Sequence, residues 1–290
     1  MPVYIKNQIQ NLNYFKNSDI LIDEINFINH DRYRVVTDKG DYLVNLYPNE
    51  SYEKFAALTT NKDDILEKGT FDLENIYEIK KLKKTQRLDE YLKNHSSKEN
   101  YDLGLSFGSI LRKLHDIRPD QEVDWYEIFN TRANYQFYMH GVNEYIGDDD
   151  YILIDYINGN KHLTKNIRQS YIFNKIDYEN ILVDQDNKII ISGLDFKRIG
   201  DGVYDFARIN KFSLKSKDFL KGTYDGYFNN KKAPGKFFRL LALYSAYSIL
   251  KDLVEHRDGN KLDSNKEEIE QLLNIFDNFN TDMPNWIKEG

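Results

Sequence analysis

The spacing of apolar residues changes from strand-like to helix-like about eighty residues into the 290-residue chain. Before that point, apolar and polar residues alternate in short runs, which is the pattern of half-buried β-strands. The runs that we predict as strands are 20–27, 33–37, 42–47 and 76–82. Asp38-Lys39-Gly40-Asp41 has the composition of a hairpin turn, and a short helix is predicted at 51–58. The N-terminal part is therefore predicted to be a small antiparallel sheet.

The rest of the chain shows mainly helical spacing, with apolar residues every three or four positions. Long helices are predicted at 103–117 and at 237–254. A third helix is predicted to begin at Ser264, where Glu267 completes a capping-box pattern. Strands that come first and helices that follow indicate an α+β fold.

Two lobes are expected from this change of pattern. The stretch 83–92 combines charged and turn-forming residues and is predicted as a connection rather than as part of a core. We therefore predict a β-rich lobe at 1–82 and a mainly helical lobe at 83–290. The helical lobe is expected to contain one further β-hairpin.

Composition excludes several classes of function. The formal net charge is −7, so the basic surface that nucleic acid or an anionic membrane requires is not expected. The chain has no cysteine, which excludes disulfides, thiolate nucleophiles and cysteine-ligated zinc. No apolar run approaches the roughly 20 residues of a membrane span, and the start lacks the apolar core of a signal peptide. We therefore expect a cytoplasmic protein.

Asn180 and Asp195 stand at the two ends of the hairpin predicted in the helical lobe. Its strands are 181–183 and 189–191, with turn-forming residues between them. A tight hairpin brings its two ends to the same edge, so the carboxamide and the carboxylate are expected to lie close together. Two hard oxygen ligands suit Mg²⁺, which completes its octahedron with water and phosphate oxygens.

The order of motifs around this hairpin resembles the aminoglycoside-phosphotransferase and choline-kinase-like small-molecule kinases. That family carries a catalytic loop H-G-D-x-H-x-x-N, a hairpin, then I-D-F, G-D-P and a helix beginning D-[LF]-A. The matching positions are Asn180, 181–184, Leu194-Asp195-Phe196, Gly200-Asp201 and Asp205-Phe206-Ala207. The stretch GSILRKLHDI at 108–117 is similar to the family's G-x-x-L-x-x-L-H-x-I. The resemblance covers residues 20–255 and implies a two-lobed, protein-kinase-like fold.

The resemblance also implies an activity and its cofactors. The activity is transfer of a phosphoryl group from ATP or GTP to a hydroxyl of a small molecule, with Mg²⁺ held by Asn180 and Asp195. The segment 76–92 resembles the strand and hinge that receive adenine, followed by the next helix. The nucleotide contacts expected there are Ile79, Lys80, Lys81 and Leu82. Asp148-Asp149-Asp150 lies where the family binds cationic acceptors, so a cationic ligand is one option.

Four single positions and one segment depart from the family's pattern. The catalytic aspartate falls on Lys175, and the histidine and glycine before it fall on Phe173 and Asn174. The strand cation that pairs with the α- and β-phosphates falls on Asn45. The segment expected to cover the phosphates, 27–32, has no glycine, so its backbone should approach phosphate less easily.

These departures predict a weakened or inactive pseudokinase that still binds a nucleotide or another ligand. Lys175 then lies in solvent, or its ammonium pairs with phosphate or with Asp177. In an alternative reading the enzyme is active and Asp177 replaces the missing base. A second alternative is a protein-interaction scaffold that binds no nucleotide.

Three other polar residues of the motifs are predicted to be structural. Asp201 and Asp205 resemble acids that brace the catalytic loop or cap a helix. His115 lies on the apolar side of its predicted helix, where a hydrogen-bonded core histidine is more common than a ligand.

Overall fold

Two units make up the chain in the computed structural model, which describes residues 3–27, 30–58, 64–142, 150–173, 176–191, 194, 196–255 and 262–288. Unit 1 comprises residues 1–86 together with 180–195. Unit 2 comprises 87–179 together with 196–290. The hairpin after Asn180 thus groups with the N-terminal residues, whereas the sequence places it in a lobe at 83–290. The functional boundary between the lobes stays a prediction.

Unit 1 is built on a five-stranded antiparallel sheet with the order β1-β2-β3-β5-β4. Its elements in chain order are α1 (Val3–Gln10), β1 (Leu21–Phe27), β2 (His30–Thr37), β3 (Gly40–Pro48), α2 (Tyr52–Leu58), β4 (Ile65–Thr70) and β5 (Asn75–Lys81). Strands β2 and β3 meet at a tight turn in which Thr37 pairs with Gly40. This turn fixes the register of the whole hairpin.

One face of this sheet forms the apolar core of unit 1. Alternate residues of β3 and β5, such as Val44 and Ile79, are fully buried in it because side chains along a strand point to opposite faces. Helix α1 contributes Ile9, and Phe15 follows it into the same cluster. The remaining members are Ile22, Tyr33, Val35, Tyr42, Leu46, Phe71 and Tyr77.

Unit 2 is mainly helical. Its helices in chain order are α3 (Leu88–Asn94), α4 (Ser97–Asp116), α5 (Trp125–Val142), α6 (Asp150–Asn160), α7 (Val203–Ile209), α8 (Lys217–Phe228), α9 (Gly235–Glu255), α10 (Leu262–Ile275) and α11 (Asn285–Lys288). Ser96 and Glu99 form a capping box at the start of α4. Helix α9 is buried along most of its length because it packs against α5, α6 and α7.

Short strands complete the fold. They are β6 (Thr85–Arg87), β7 (Gln169–Tyr171), β8 (Ile181–Asp184), β9 (Ile189–Ile191) and β10 (Ile199–Asp201). Strands β6, β8 and β9 form a three-stranded sheet in that order, and β7 pairs with β10. None of the helices in the described ranges is long and apolar enough to cross a membrane.

The predicted α+β fold, with an antiparallel sheet first and a mainly helical remainder, is confirmed. The prediction of a connection at 83–92 is wrong, because this stretch forms β6 and α3. Leu88, Tyr91 and Leu92 are buried there at helical spacing. The third predicted helix begins at Leu262 rather than at Ser264. Helix α1 and strand β4 were not expected from the sequence.

Candidate functional site

A row of buried polar residues crosses the sheet of unit 1 on the face opposite to its apolar core. Arg32 of β2 lies directly opposite Asn45 of β3, and Asn45 lies opposite Glu78 of β5. Cross-strand partners share a face of a sheet, so the three side chains lie side by side. They are 9%, 2% and 2% exposed. Burial of charged groups costs free energy unless they have partners, so the contacts of these side chains matter for the stability of the sheet.

The carboxylate of Glu78 is the anchored member of this row. The hydroxyl of Tyr52, the first residue of α2, donates to Glu78 Oε1 over 2.9 Å. The ammonium of Lys80 lies 2.7 Å from Glu78 Oε2. Burial, followed by the hydrogen bond to Glu78 and its charge, raises the pKa of Tyr52 to about 12. Glu78 therefore fixes α2 and one lysine against this face of the sheet.

Asn45 and Arg32 are the members of the row that can donate to an anion. Burial lowers the pKa of the Arg32 guanidinium, but arginine remains charged at physiological pH. Within the described part of the chain, Oδ1 of the buried Asn45 side chain accepts no hydrogen bond. A buried polar atom without a partner is uncommon and often marks a place where a ligand or a water binds. Oδ1 can only accept a hydrogen bond, so it calls for a donor, whereas the side-chain NH₂ group of Asn45 and the Arg32 guanidinium are the groups that can donate to a phosphate.

The four residues expected to contact the nucleotide differ in what they offer. The Ile79 side chain is buried in the apolar core and so faces away from the polar row. Lys80 pairs with Glu78, and Lys81 is exposed. The backbone N–H of Leu82 donates to the carbonyl of Asp41 over 2.9 Å. Only Lys80 thus shares the polar face, and the role of the other three residues stays a prediction.

Lys83 holds the β8–β9 hairpin next to the end of the sheet in unit 1. Its ammonium lies 2.9 Å from carboxylate oxygens of Asp64 and Asp186, and 3.5 Å from one of Asp184. Hydrogen bonds to Asp186 and Asp64 raise the pKa of Lys83. Asp184 also accepts from the backbone N–H groups of Asp186 and Lys188 at 2.9 Å. The ion pairs therefore stabilise the hairpin that begins after Asn180.

The segment that corresponds to the catalytic loop is braced from within unit 2. Asp205 is fully buried, and its carboxylate accepts from the backbone N–H of Phe173 over 2.7 Å. The same carboxylate oxygen lies 3.1 Å from Nε2 of His115, whose Nδ1 lies 3.0 Å from the hydroxyl of Tyr227. The predictions that Asp205 braces the loop and that His115 is a hydrogen-bonded core residue are confirmed.

Asp201 is structural as well. Its carboxylate accepts from the backbone N–H of Val203 over 3.0 Å and from the hydroxyl of Tyr244 over 2.9 Å. The Tyr244 hydroxyl in turn accepts from the indole N–H of Trp125 over 2.8 Å. Burial raises the pKa of Asp201 above its ordinary value. The group therefore fixes α5 and α9 against the start of α7.

The catalytic and metal positions are described only in part. Asp177 is half-buried, and its Oδ1 accepts from the backbone N–H of Glu179 over 2.9 Å, which orders the turn before β8. Asn180 is half-buried immediately before β8. Lys175 and Asp195 lie outside the described residues. Among the residues that are described, no group of three histidine, aspartate or glutamate side chains could hold a metal ion. The roles of these four residues stay predictions.

Known structures match this architecture. No family model and no curated protein matches the chain. An aminoglycoside 2'-phosphotransferase-IIIa in complex with GDP matches with a TM-score of 0.56 and 12% identity, over 97% of this chain and 99% of that one. A choline/ethanolamine kinase family protein from Mesorhizobium loti matches with a TM-score of 0.54 and 14% identity, over 92% and 94% of the two chains.

A third structure, aminoglycoside phosphotransferase APH(2'')-Ib with ADP bound, gives a TM-score of 0.51 and 17% identity over 94% of this chain and 97% of that one. This chain has the aminoglycoside-phosphotransferase fold. At these identities the likeness establishes the fold alone. It confirms the predicted resemblance.

The sequence singles out neither Arg32 nor Glu78 of the polar row, although Arg32 ends the segment 27–32 that is expected to cover the phosphates and Glu78 lies in the segment 76–92 that is expected to receive adenine. The signal for them is present in the alternation of β2, β3 and β5. Once Asn45 is placed at the strand-cation position, every residue opposite it in a neighbouring strand must share its face. The exact partners require the register, which the turn at Thr37 and Gly40 determines between β2 and β3 and which is a separate pairing between β3 and β5.

Proposed function

We propose that this protein binds a nucleoside triphosphate with Mg²⁺ and a small molecule that bears a hydroxyl, and that phosphoryl transfer between them is weakened or lost. The observation that carries the proposal is the buried polar row of unit 1. The row includes two side chains that can donate to phosphate, Arg32 on β2 and Asn45 on β3. Asn45 stands where the family has a cation. The braced segment at Phe173 leads directly into Lys175, where the family has its base.

The cofactors follow from the same proposal. Structural neighbours include complexes with ADP and with GDP, so we propose that ATP or GTP binds here. Asn180 and Asp195 provide the oxygen ligands for Mg²⁺, which would offset the charge of the phosphates when bound. A cytoplasmic location suits these cofactors. We further propose that residues 1–82 serve the nucleotide and residues 83–290 the acceptor, which is a cationic molecule in one version of the proposal.

The reduced activity has a physical basis in two substitutions. Removal of a general base costs on the order of 10²- to 10⁴-fold in rate. The charge that stabilises the transferring phosphoryl group is also reduced at Asn45. Asp177 is the candidate for a replacement base, but one of its carboxylate oxygens already orders the turn at Glu179. We therefore favour weakened transfer over a rearranged active enzyme.

A thermal-shift series tests whether nucleotide binds at all. ATP, GTP and adenosine are added with and without Mg²⁺, and Asp195→Ala is compared with the wild type. A ligand present at 100 times its Kd stabilises by about 2.7 kcal/mol, which raises the Tm by several degrees. We expect the triphosphates to raise the Tm more with Mg²⁺ than without it, and Asp195→Ala to lose that increment. The absence of any shift with every nucleotide would favour the scaffold alternative.

A rate measurement distinguishes the two enzymatic readings. If Asp177 were the base, Asp177→Asn would keep the shape of the side chain but lower turnover by about 10²-fold or more. We expect turnover to be low already in the wild type and to change little in this variant. A fast wild type that is inactivated by Asp177→Asn would establish the rearranged enzyme instead.

A further inference from the structure

We propose that a monovalent anion of the size of chloride binds in a small cavity of unit 2, between helices α7, α9 and α10. The cavity has a volume of about 20 Å³, which is room for one water molecule or one monatomic ion. A nucleotide does not fit in this volume, so the inference is independent of the proposed function. The polar residues that line the cavity are Arg208, Asn210, Lys211, Ser245, Ser248 and Asp252.

The hydroxyl group of Ser245 is one of two buried donors at this cavity. The indole N–H of Trp286 can only donate, and it donates to Asn210 Oδ1 over 3.2 Å, which fixes the orientation of the carboxamide. Nδ2 of Asn210 therefore donates to Ser245 Oγ over 2.8 Å. Ser245 is 3% exposed, and none of the described residues accepts a hydrogen bond from it. Its hydroxyl hydrogen therefore needs an acceptor in the cavity.

Arg208 brings the second donor to the same cavity. Its Nε atom is buried and, within the part of the chain that the structure describes, has no hydrogen-bond partner. A buried donor without an acceptor is destabilising, and such atoms commonly mark an ordered water or an ion. Arg208 belongs to the last turn of α7, and Ser245 lies in the middle of α9. One bound particle would therefore compensate donors from two helices.

The charge around the cavity favours an anion over a water molecule. Among the described residues that line it, Arg208 and Lys211 are basic and Asp252 is acidic. Asp252 is already engaged in an interaction. A water molecule would bring two hydrogens that need acceptors of their own, whereas an anion only accepts. An anion would also receive a charge-assisted hydrogen bond from the guanidinium, which is stronger than a bond between neutral groups.

Crystals of the full chain grown in sodium bromide test the site directly, because bromide scatters X-rays anomalously and water does not. We expect one anomalous peak in the wild type, within hydrogen-bonding distance of Arg208 Nε and Ser245 Oγ. The peak should be lost in Arg208→Met and kept in Arg239→Met. Arg239 is the matched control, because it is an exposed arginine of α9 that does not line this cavity. Electron density without an anomalous signal would identify a water molecule and overturn the inference.

Thermal unfolding in sodium chloride and in sodium gluconate, at equal ionic strength, gives the second readout. Near saturation of the site, chloride should raise the Tm of the wild type and of Arg239→Met by roughly 2–4 °C relative to gluconate. This difference should disappear in Arg208→Met. Ser245→Ala removes a single oxygen, so it serves even if Arg208→Met does not fold, and the chloride concentration that gives half of the shift should rise about 5- to 10-fold. Equal chloride dependence of the wild type, Arg239→Met and Ser245→Ala would overturn the inference, whatever the outcome of the nucleotide experiments.

Discussion

Helices α4 and α8 contact each other through glycine, which makes the substitution Gly108→Ala a sharp test of the fold. A β-carbon placed on Gly108 would lie 2.0 Å from the backbone oxygen of Thr223 and 2.7 Å from the backbone nitrogen of Tyr227. The contact is reciprocal, because a β-carbon on Gly222 would lie 2.1 Å from the backbone oxygen of Tyr101. Both clashes are with main chain, which cannot rotate away as a side chain does.

The magnitude follows from two opposing effects. In an ordinary helix, replacing glycine with alanine gains about 1 kcal/mol because the unfolded chain loses less entropy on folding. Overpacking costs about 1–3 kcal/mol where side chains can adjust, and more where they cannot. The helices would have to separate by more than an ångström along their contact to relieve the clash at Gly108. We therefore expect Gly108→Ala to be destabilised by about 2–4 kcal/mol.

Urea unfolding followed by circular dichroism measures this difference, and Gly141→Ala in α5 is the matched control. A β-carbon on Gly141 would meet nothing within 4 Å, so this variant should be stabilised by about 0.5 kcal/mol. The two substitutions are chemically identical and should have opposite signs. If Gly108→Ala were as stable as the wild type, the close approach of α4 and α8 would be refuted.

Three further substitutions test the networks that support the candidate site. Asp205→Ala removes the buried acceptor of the Phe173 backbone N–H and should lower the free energy of unfolding by about 3–5 kcal/mol. Hydrogen exchange at the Phe173 amide should become faster. Unchanged protection of this amide would contradict the role of Asp205 in holding the segment. Tyr244→Phe should cost about 2–4 kcal/mol in urea, because Asp201 loses a buried hydrogen bond; a loss below about 0.5 kcal/mol would mean that water replaces the hydroxyl. Lys83→Met should lower the free energy of unfolding by about 1 kcal/mol between pH 7 and 10. The pKa of Lys83 is raised in the folded protein, so its ion pairs contribute fully below the pKa of about 10.4 that a lysine has in the unfolded chain. This contribution is lost only as the pH rises through the pKa of the folded state. A difference in Tm that does not shrink in 1 M salt would contradict the last assignment.

Strand alternation allowed much of unit 1 to be predicted from the sequence. The runs at 33–37 and 42–47 are extended in the structure, and the hairpin strands β8 and β9 begin at the residues that the apolar pattern predicts. Alternation also accounts for the burial of the Ile79 side chain. Glu78 and Lys80 on either side of it point to the polar face, so Ile79 must point into the core.

Other elements could not be predicted, for reasons that the structure makes clear. Helix α5 buries Trp125 and Phe129 but exposes Tyr135 and Tyr138, so its apolar residues do not form a single stripe. Helix α1 is short, and Ile9 is its one described side chain that is fully buried. Local periodicity carries little signal in either case.

The composition of the polar row could be predicted from the sequence only in part. The sequence locates Asn45 by resemblance, but its neighbours on other strands depend on the register. The predicted turn 38–41 pairs Asn45 with Arg34, whereas the observed pairing of Thr37 with Gly40 places Arg32 there. A shift of two residues keeps the same face and changes the partner. The cation opposite Asn45 could therefore be predicted to be an arginine, but not which arginine.

The rate of ATP turnover by the wild type, at nucleotide and Mg²⁺ concentrations shown to saturate binding, decides whether phosphoryl transfer is weakened in this protein. Formation of ADP is followed in a coupled assay with a panel of hydroxyl-bearing small molecules, including cationic ones. We expect saturable binding with turnover at least about 10²-fold below the 1–100 s⁻¹ that is common for kinases. A turnover within that range on any acceptor would contradict the claim that Lys175 and Asn45 mark a weakened site.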